Sequence, residues 1–154
     1  MPILNLPELS VKIKSEGELI FDPVRKKWLK LTPEEWVRQN LIMYLHQHLH
    51  YPLSLMETEK HFKLFNTVKR ADIVLNDANL KPIIIVECKS TNIKIDQGVF
   101  DQAIRYNMAI DVKYLFISNG LKHFAIKLDP ENPVFLDKLP DYNEFLTTKM
   151  ERKK

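Results

Sequence analysis

One short stretch, Lys81-Pro-Ile-Ile-Ile-Val-Glu-Cys-Lys89, constrains this sequence more than any other. Ile83–Val86 are consecutive β-branched residues with no polar alternation, the pattern of a strand covered on both faces. Such a strand sits inside a sheet with helices against it, so the rest of the chain must supply further strands and amphipathic helices. The same run is the longest clean apolar stretch and falls far short of the roughly 20 residues that span a bilayer. No basic stretch followed by an apolar segment opens the sequence, so a cytoplasmic protein without a membrane partner is expected.

The flanking segments supply those elements. Arg70–Leu75 reads as a strand, and Asn76-Asp77-Ala78-Asn79 turns it back against 81–89. Thr32-Pro33-Glu34-Glu35 predicts a helix start, with Thr32 as N-cap, Pro33 as the first helical residue and Glu35 placed to complete a capping box. Val37, Leu41, Tyr44, Leu45 and His48 keep helical spacing up to Tyr51-Pro52. A second amphipathic helix is expected over 97–110, on Val99, Ala103, Tyr106, Ala109 and Ile110, with Asp96 as cap and Asp101 as a surface charge. It leads to a strand at Lys113–Ser118, a hairpin turn at Asn119-Gly120 and a strand at Lys122–Leu128. Residues 10–31 read as an antiparallel hairpin turning at Asp22-Pro23, whereas Leu53 to Lys60 follow no assignable period. The expected fold is α/β (α+β): a mixed central β-sheet flanked by helices in the order αβββαβ, with an N-terminal β-hairpin. With no internal repeat or Pro/Ser/Gly-rich linker, 1–154 are expected to form a single domain, with the hairpin at about 10–31, the core at about 32–128 and a C-terminal extension at 129–154.

Composition removes several classes of function. The 154 residues cannot house a nucleic-acid motor, and the three glycines form no phosphate-cradling loop. The formal charge of +3 is too mild for a protein that coats DNA. The cations gather at Val24–Lys30, at Val68-Lys69-Arg70 and in the tail Lys149–Lys154, the last read as a solvated end. A single cysteine, Cys88, excludes a disulfide framework and fits a reducing compartment. His46 and His50 have the spacing of a zinc motif, but Gln47 stands where its glutamate would be, so helix-end histidines are expected instead. Trp28 and Trp36 are expected to pack, and Cys88 to be buried.

The chemistry gathers at Asp72, Glu87 and Lys89. Alternation along a strand turns Glu87 and Lys89 to one side and Cys88 to the other, and an antiparallel pairing of 70–75 with 83–89 brings Asp72 alongside. Two carboxylates and an ammonium at the edge of an apolar sheet are costly unless a counter-ion joins them. Mg²⁺ suits such a set, because it takes one or two carboxylates and leaves its other positions to water and phosphate.

The pattern Asp72…Glu87-Cys88-Lys89 resembles the D…E-x-K signature of the PD-(D/E)xK nuclease superfamily. Further ordered blocks are similar to the N-terminal nuclease domain of type I restriction enzyme R subunits: Leu31–Gln39, Lys69–Val74, Val86–Ser90, Phe100–Asn107 and Ser118-Asn-Gly120. Gln102-x-x-x-Tyr106 resembles the Q-x-x-x-Y motif that follows the E-x-K strand in that family. The resemblance runs from about residue 20 to 128. It implies a restriction-endonuclease-like core and a Mg²⁺-dependent DNA endonuclease, with Mn²⁺ as a substitute metal. It also implies metal binding by Asp72 and Glu87, water activation by Lys89, and DNA or site-stabilising contacts from Gln102 and Tyr106. A first-helix glutamate, Glu35 or next to it Glu34, is the implied third metal ligand, a role that competes with capping. Ala71 replaces the proline that precedes the first aspartate in the family. The translocase of R subunits has no counterpart in these 154 residues, so the expectation is a cutting domain without its motor. Expected partners are DNA, other restriction or defence-system subunits and a second copy of the chain. The alternative is a nucleic-acid-binding module that keeps the site and does not cleave alone.

Overall fold

A computed structural model describes residues 1–146; the basic tail Lys149–Lys154 lies outside them. Strands β1 (Ile13–Lys14), β2 (Leu19–Asp22) and β3 (Lys27–Lys30) form a small antiparallel sheet in the order β1-β2-β3. The expected hairpin therefore carries a third, very short strand. Its Asp22 turn is held by the buried carboxylate, which accepts the amides of Val24 at 2.8 Å and Arg25 at 3.0 Å.

Helix α1 (Pro33–Gln47) starts as expected, with Thr32 Oγ1 accepting the Glu35 amide at 3.1 Å. The Glu35 carboxylate instead accepts from Arg38 at 3.2 Å and Gln39 at 3.1 Å, both on its own helix. Val37, Leu41 and Leu45 are buried, joined by Ile42. His48 departs from expectation: it is the C-cap and exposed, because the helix ends before its side of the apolar stripe is covered.

The main sheet contains β4 (Met56–Leu64), β5 (Thr67–Asn76), β6 (Pro82–Cys88), β7 (Tyr114–Ser118), β8 (His123–Lys127) and β9 (Val134–Leu136), lying in that order. β6 and β7 are parallel, joined through α2 (Gln97–Ile110), and the other pairings are antiparallel. β6 is interior and buried on both faces, as its apolar run requires. Two apolar layers result: Ile73, Leu75, Ile84, Val86 and Phe116 pack with Leu41 and Leu45 of α1, while Val74, Ile85, Leu115 and Ile117 pack with Phe100 and Ala103 of α2. The unassigned segment after Leu53 is a 3-10 turn (Leu53–Leu55) leading into β4. β9 adds an edge strand within the C-terminal extension. At the β7–β8 turn, Gly120 has φ of +85°, a backbone conformation that calls for glycine.

Candidate active site

Strand β5 changes faces at Asp72. Lys69 and Ala71 face the α2 side, while Ile73 and Leu75 face α1. The facing strand changes with it: Met56 packs on the α1 side and Phe62 on the α2 side, and Glu59 between them has φ of +54°. The β4–β5 register runs through Thr58↔Ile73 and Lys60↔Ala71. The β5–β6 register begins at Ile73↔Val86, so these strands fork at Asp72. Asp72 Oδ2 closes the fork by accepting the Cys88 amide at 2.8 Å.

Glu87, 9% exposed, points to the α2 side. Its Oε1 accepts from Lys69 Nζ at 2.6 Å and from Asn107 Nδ2 at 3.4 Å. Asn107 is buried and also donates to the Ala103 carbonyl one turn back at 2.7 Å, which fixes its direction. Lys69 Nζ lies 4.3 Å from the centroid of the Tyr106 ring. Lys89 follows β6, its amide donating to the Ser118 carbonyl at 2.8 Å, and its ammonium makes no ion pair among the described residues. Glu87, Lys89, Gln102 and Tyr106 line one open cleft of about 340 Å³ together with Lys69 and Arg70. Cys88 points away into the α1 core, as alternation requires.

Beside the fork lies an ionic cluster. Arg38, with 4% of its side chain exposed, reaches Asp72 at 3.5 Å, Glu34 at 3.3 Å, Glu35 at 3.2 Å and Glu59 at 3.1 Å. Arg25 bridges Asp22, Glu35 and Glu59 at 2.7, 3.6 and 3.3 Å, and Arg70 lies 3.7 Å from Glu59. The carboxylates of Asp22, Glu34, Glu35, Glu59 and Asp72 thus outnumber the guanidinium groups of Arg25, Arg38 and Arg70. Burial pushes the Asp72 carboxyl above its ordinary value; the Cys88 amide and Arg38 pull it back, and the charges of Glu34 and Glu87 add to the rise. Burial also pushes on Glu59, but Arg38, Arg25 and Arg70 outweigh it and hold that carboxyl below its ordinary value.

Among the described residues, no three His, Cys, Asp or Glu side chains form a ready-made metal cage. Mg²⁺ requires less, since one or two carboxylates suffice when water and phosphate complete its shell. Asp72 and Glu87 fit that requirement. They are hard oxygen donors on adjoining strands whose charges repel, Glu87 lining the cleft and Asp72 lying beside it, turned to the Cys88 amide and Arg38. Glu35 and Glu34 join Asp72 through Arg38.

The remaining candidates are engaged elsewhere. His46 Nδ1 bonds the Tyr51 carbonyl at 2.9 Å and His50 Nδ1 meets Asp141 at 2.7 Å, so the two histidines serve different partners. The Cys88 thiol is 2% exposed, and burial pushes its pKa well up, which suits a core residue and not a nucleophile. Trp36 Nε1 donates to the Pro2 carbonyl, and Trp28 packs on Phe21. Asp96 caps α2 by accepting the Val99 amide, and the exposed Asp101 accepts from Gln97. Sequence reasoning missed Arg38 as the partner of Asp72 and Lys69 and Asn107 as those of Glu87, together with Glu59, which shares Arg38 with Asp72. Two of them left a signal: Arg38 stands three and four residues after Glu35 and Glu34, and Asn107 four after Ala103 on the apolar face of α2.

A family model described as type I restriction enzyme R protein N terminus matches residues 33–140. Among solved structures, the chain is similar to a fragment described as an HsdR subunit of a type I restriction enzyme from Vibrio vulnificus YJ016. The TM-score is 0.54 at 21% identity, over 76% of this chain and 25% of that one. This chain therefore spans about a quarter of that structure's length, and at this identity the likeness carries the fold. No curated protein matches the chain.

Proposed function

The chain belongs to the family of type I restriction enzyme R protein N-terminal domains, and from that membership we propose that it is a Mg²⁺-dependent DNA endonuclease domain. The observation that carries this reading is the meeting of Glu87, Lys89, Gln102 and Tyr106 in one cleft, with Asp72 closing the strand fork beside it. Asp72 and Glu87 would hold the metal, with Glu35 or next to it Glu34 as the first-helix carboxylate to join them; Glu34 shares Arg38 Nη2 with Asp72. Bound there, Mg²⁺ supplies the Lewis acidity that polarises a phosphate and makes a water acidic. Lys89 is the cleft's free ammonium, suited to orient the attacking water and to offset charge on the phosphorus oxygens. Lys69 and Asn107 fix the Glu87 carboxylate, and Tyr106 with Gln102 forms the wall along which the strand lies.

A second reading, a nucleic-acid-binding module that needs a partner before it cuts, is favoured by the ion pairs already made. Glu87 is held by Lys69 and Asp72 by Arg38, so both carboxylates carry basic companions that must share them with a metal. Under either reading the partners are DNA and other restriction subunits, and cutting both strands asks for a second copy of the chain.

The test is hydrolysis of plasmid and linear DNA with Mg²⁺ or Mn²⁺, comparing wild type with Asp72→Ala, Glu87→Ala and Lys89→Ala. Each substitution should lower the rate by roughly a hundredfold or more, and EDTA should abolish cleavage. Cleavage unchanged in all three variants would sink the endonuclease reading, and DNA binding without cleavage would leave the second.

A further inference from the structure

Beyond the Glu59–Asp72 kink, β4 and β5 run on as a two-stranded arm, paired from Lys60↔Ala71 to Leu64↔Thr67, after β6 has left the sheet at Ile73↔Val86. The arm turns on Phe65 and Asn66, and its tip is tied by Thr67 Oγ1 donating to the Leu64 carbonyl at 2.9 Å. Phe65 is out of place by every local rule. It is 89% exposed, and its φ of +54° is a conformation that favours glycine or asparagine and is strained for an aromatic residue. A local rule broken without a folding benefit is where function is to be sought.

The surroundings identify what Phe65 meets. Leu64, Phe65 and Thr67 face Gln102, Arg105 and Tyr106 of α2 across a cleft of about 580 Å³. Gln102 and Tyr106 also line the cleft of Glu87 and Lys89, so the two clefts share a wall. Arg105 in this cleft, and Lys63, two residues before Phe65 and lining the neighbouring cleft with Lys60, Lys81 and Asp111, make no ion pair among the described residues, while the one acid lining the Phe65 cleft, Asp101, accepts from Gln97. Unpaired cations flanking an exposed aromatic ring, at the entrance to a cleft read as phosphodiester-cutting, match a nucleic-acid duplex.

We propose that the β4–β5 arm grips DNA, with Phe65 wedging between base pairs next to the scissile phosphate and Lys63 and Arg105 holding phosphates on either side. The proposal rests on the nuclease reading for its choice of substrate. An apolar wedge unstacks a base step and bends the duplex, carrying the adjacent phosphate toward Glu87 and Lys89.

The test uses a short duplex carrying 2-aminopurine, whose fluorescence rises when its neighbours unstack, titrated without Mg²⁺ against the full chain. Wild type should raise the fluorescence. Phe65→Ala should bind about tenfold more weakly and give no rise even at saturation, and Phe65→Trp should restore both. Lys63→Ala should keep the rise at saturation and reduce the slope of log affinity against log salt by about one. A wild type that binds without a rise, or a Phe65→Ala variant that binds and unstacks as wild type does, overturns the arm proposal and assigns the exposed ring to another kind of partner. Cleavage with Mg²⁺ by the same preparations separates the two ideas. Its loss in Lys89→Ala, with Phe65→Ala normal in binding and unstacking, leaves the nuclease standing without the arm. A wild-type fluorescence rise that Phe65→Ala abolishes, with no cleavage by any preparation, supports the arm and removes the nuclease.

Discussion

Among the described carboxylates, burial disfavours the charge of Asp72, whereas that of Glu59 is compensated by three guanidinium groups. Burial raises the Asp72 pKa, so the fold favours its protonated form, and the penalty on its ionised form eases as pH falls through the folded value. Glu59 behaves in the opposite sense. Its folded pKa lies below the ordinary 4.5, so its contribution to stability is complete above 4.5 and lost as pH falls through the folded value. Glu59→Gln should therefore be less stable than wild type near neutrality, and the gap should close on the acid side of 4.5. Urea midpoints measured across that range check this, and a gap that stays constant would contradict it. Glu87 and Lys89 were legible together because alternation holds along β6 and places them at one remove from Cys88, whereas the position of Asp72 was not, since β5 changes faces there and pairs with β6 only from Ile73 onward. Arg38 was not legible as their neighbour. It sits on a helix far away in sequence, and helical spacing alone pairs it with Glu34 and Glu35, not with a strand carboxylate.

At the scale of elements, strong local signals survived and weak ones did not. The Thr32 cap, the Asp96 cap, the Asp22 turn and the Ile83–Val86 strand each rest on contacts within a few residues or on dense apolar runs. β4 reads Met-Glu-Thr-Glu-Lys-His-Phe-Lys-Leu, a polar edge strand that changes faces at Glu59, so no single period runs through it. β9 is short and held by pairing with β8, which local sequence does not encode. The segment after β9 is anchored by Tyr51, 1% exposed, whose hydroxyl donates to the Pro140 carbonyl at 2.6 Å and whose ring packs on Tyr142 and Phe145. Burial pushes the Tyr51 pKa far above ordinary, so this bond persists through the whole working range of pH. Tyr51→Phe should cost about 1–2 kcal/mol by leaving that carbonyl unpaired. Denaturant unfolding checks this, and an unchanged midpoint would show that water replaces the hydroxyl.

Across the molecule, the small sheet, α1 and the main sheet meet at the same charges: Arg25 extends from the β2–β3 turn to Glu35 on α1 and Glu59 on β4. The element that binds the site together therefore also binds the two sheets. One cooperative unfolding transition follows, with tryptophan fluorescence from Trp28 and Trp36 and far-ultraviolet dichroism losing signal together. Separate midpoints would mean that the small sheet and the main sheet are distinct units. No helix among the described residues is long and apolar enough to cross a membrane. The central claim is that Asp72 and Glu87 share one divalent cation within reach of Lys89. A crystal soaked in Mn²⁺ and measured at the manganese edge tests it most directly. The account predicts an anomalous peak between the Asp72 and Glu87 carboxylates, with Arg38 and Lys69 drawn aside and the Lys89 ammonium next to a bound water. A well-ordered site with both ion pairs intact and no peak between those carboxylates would contradict it.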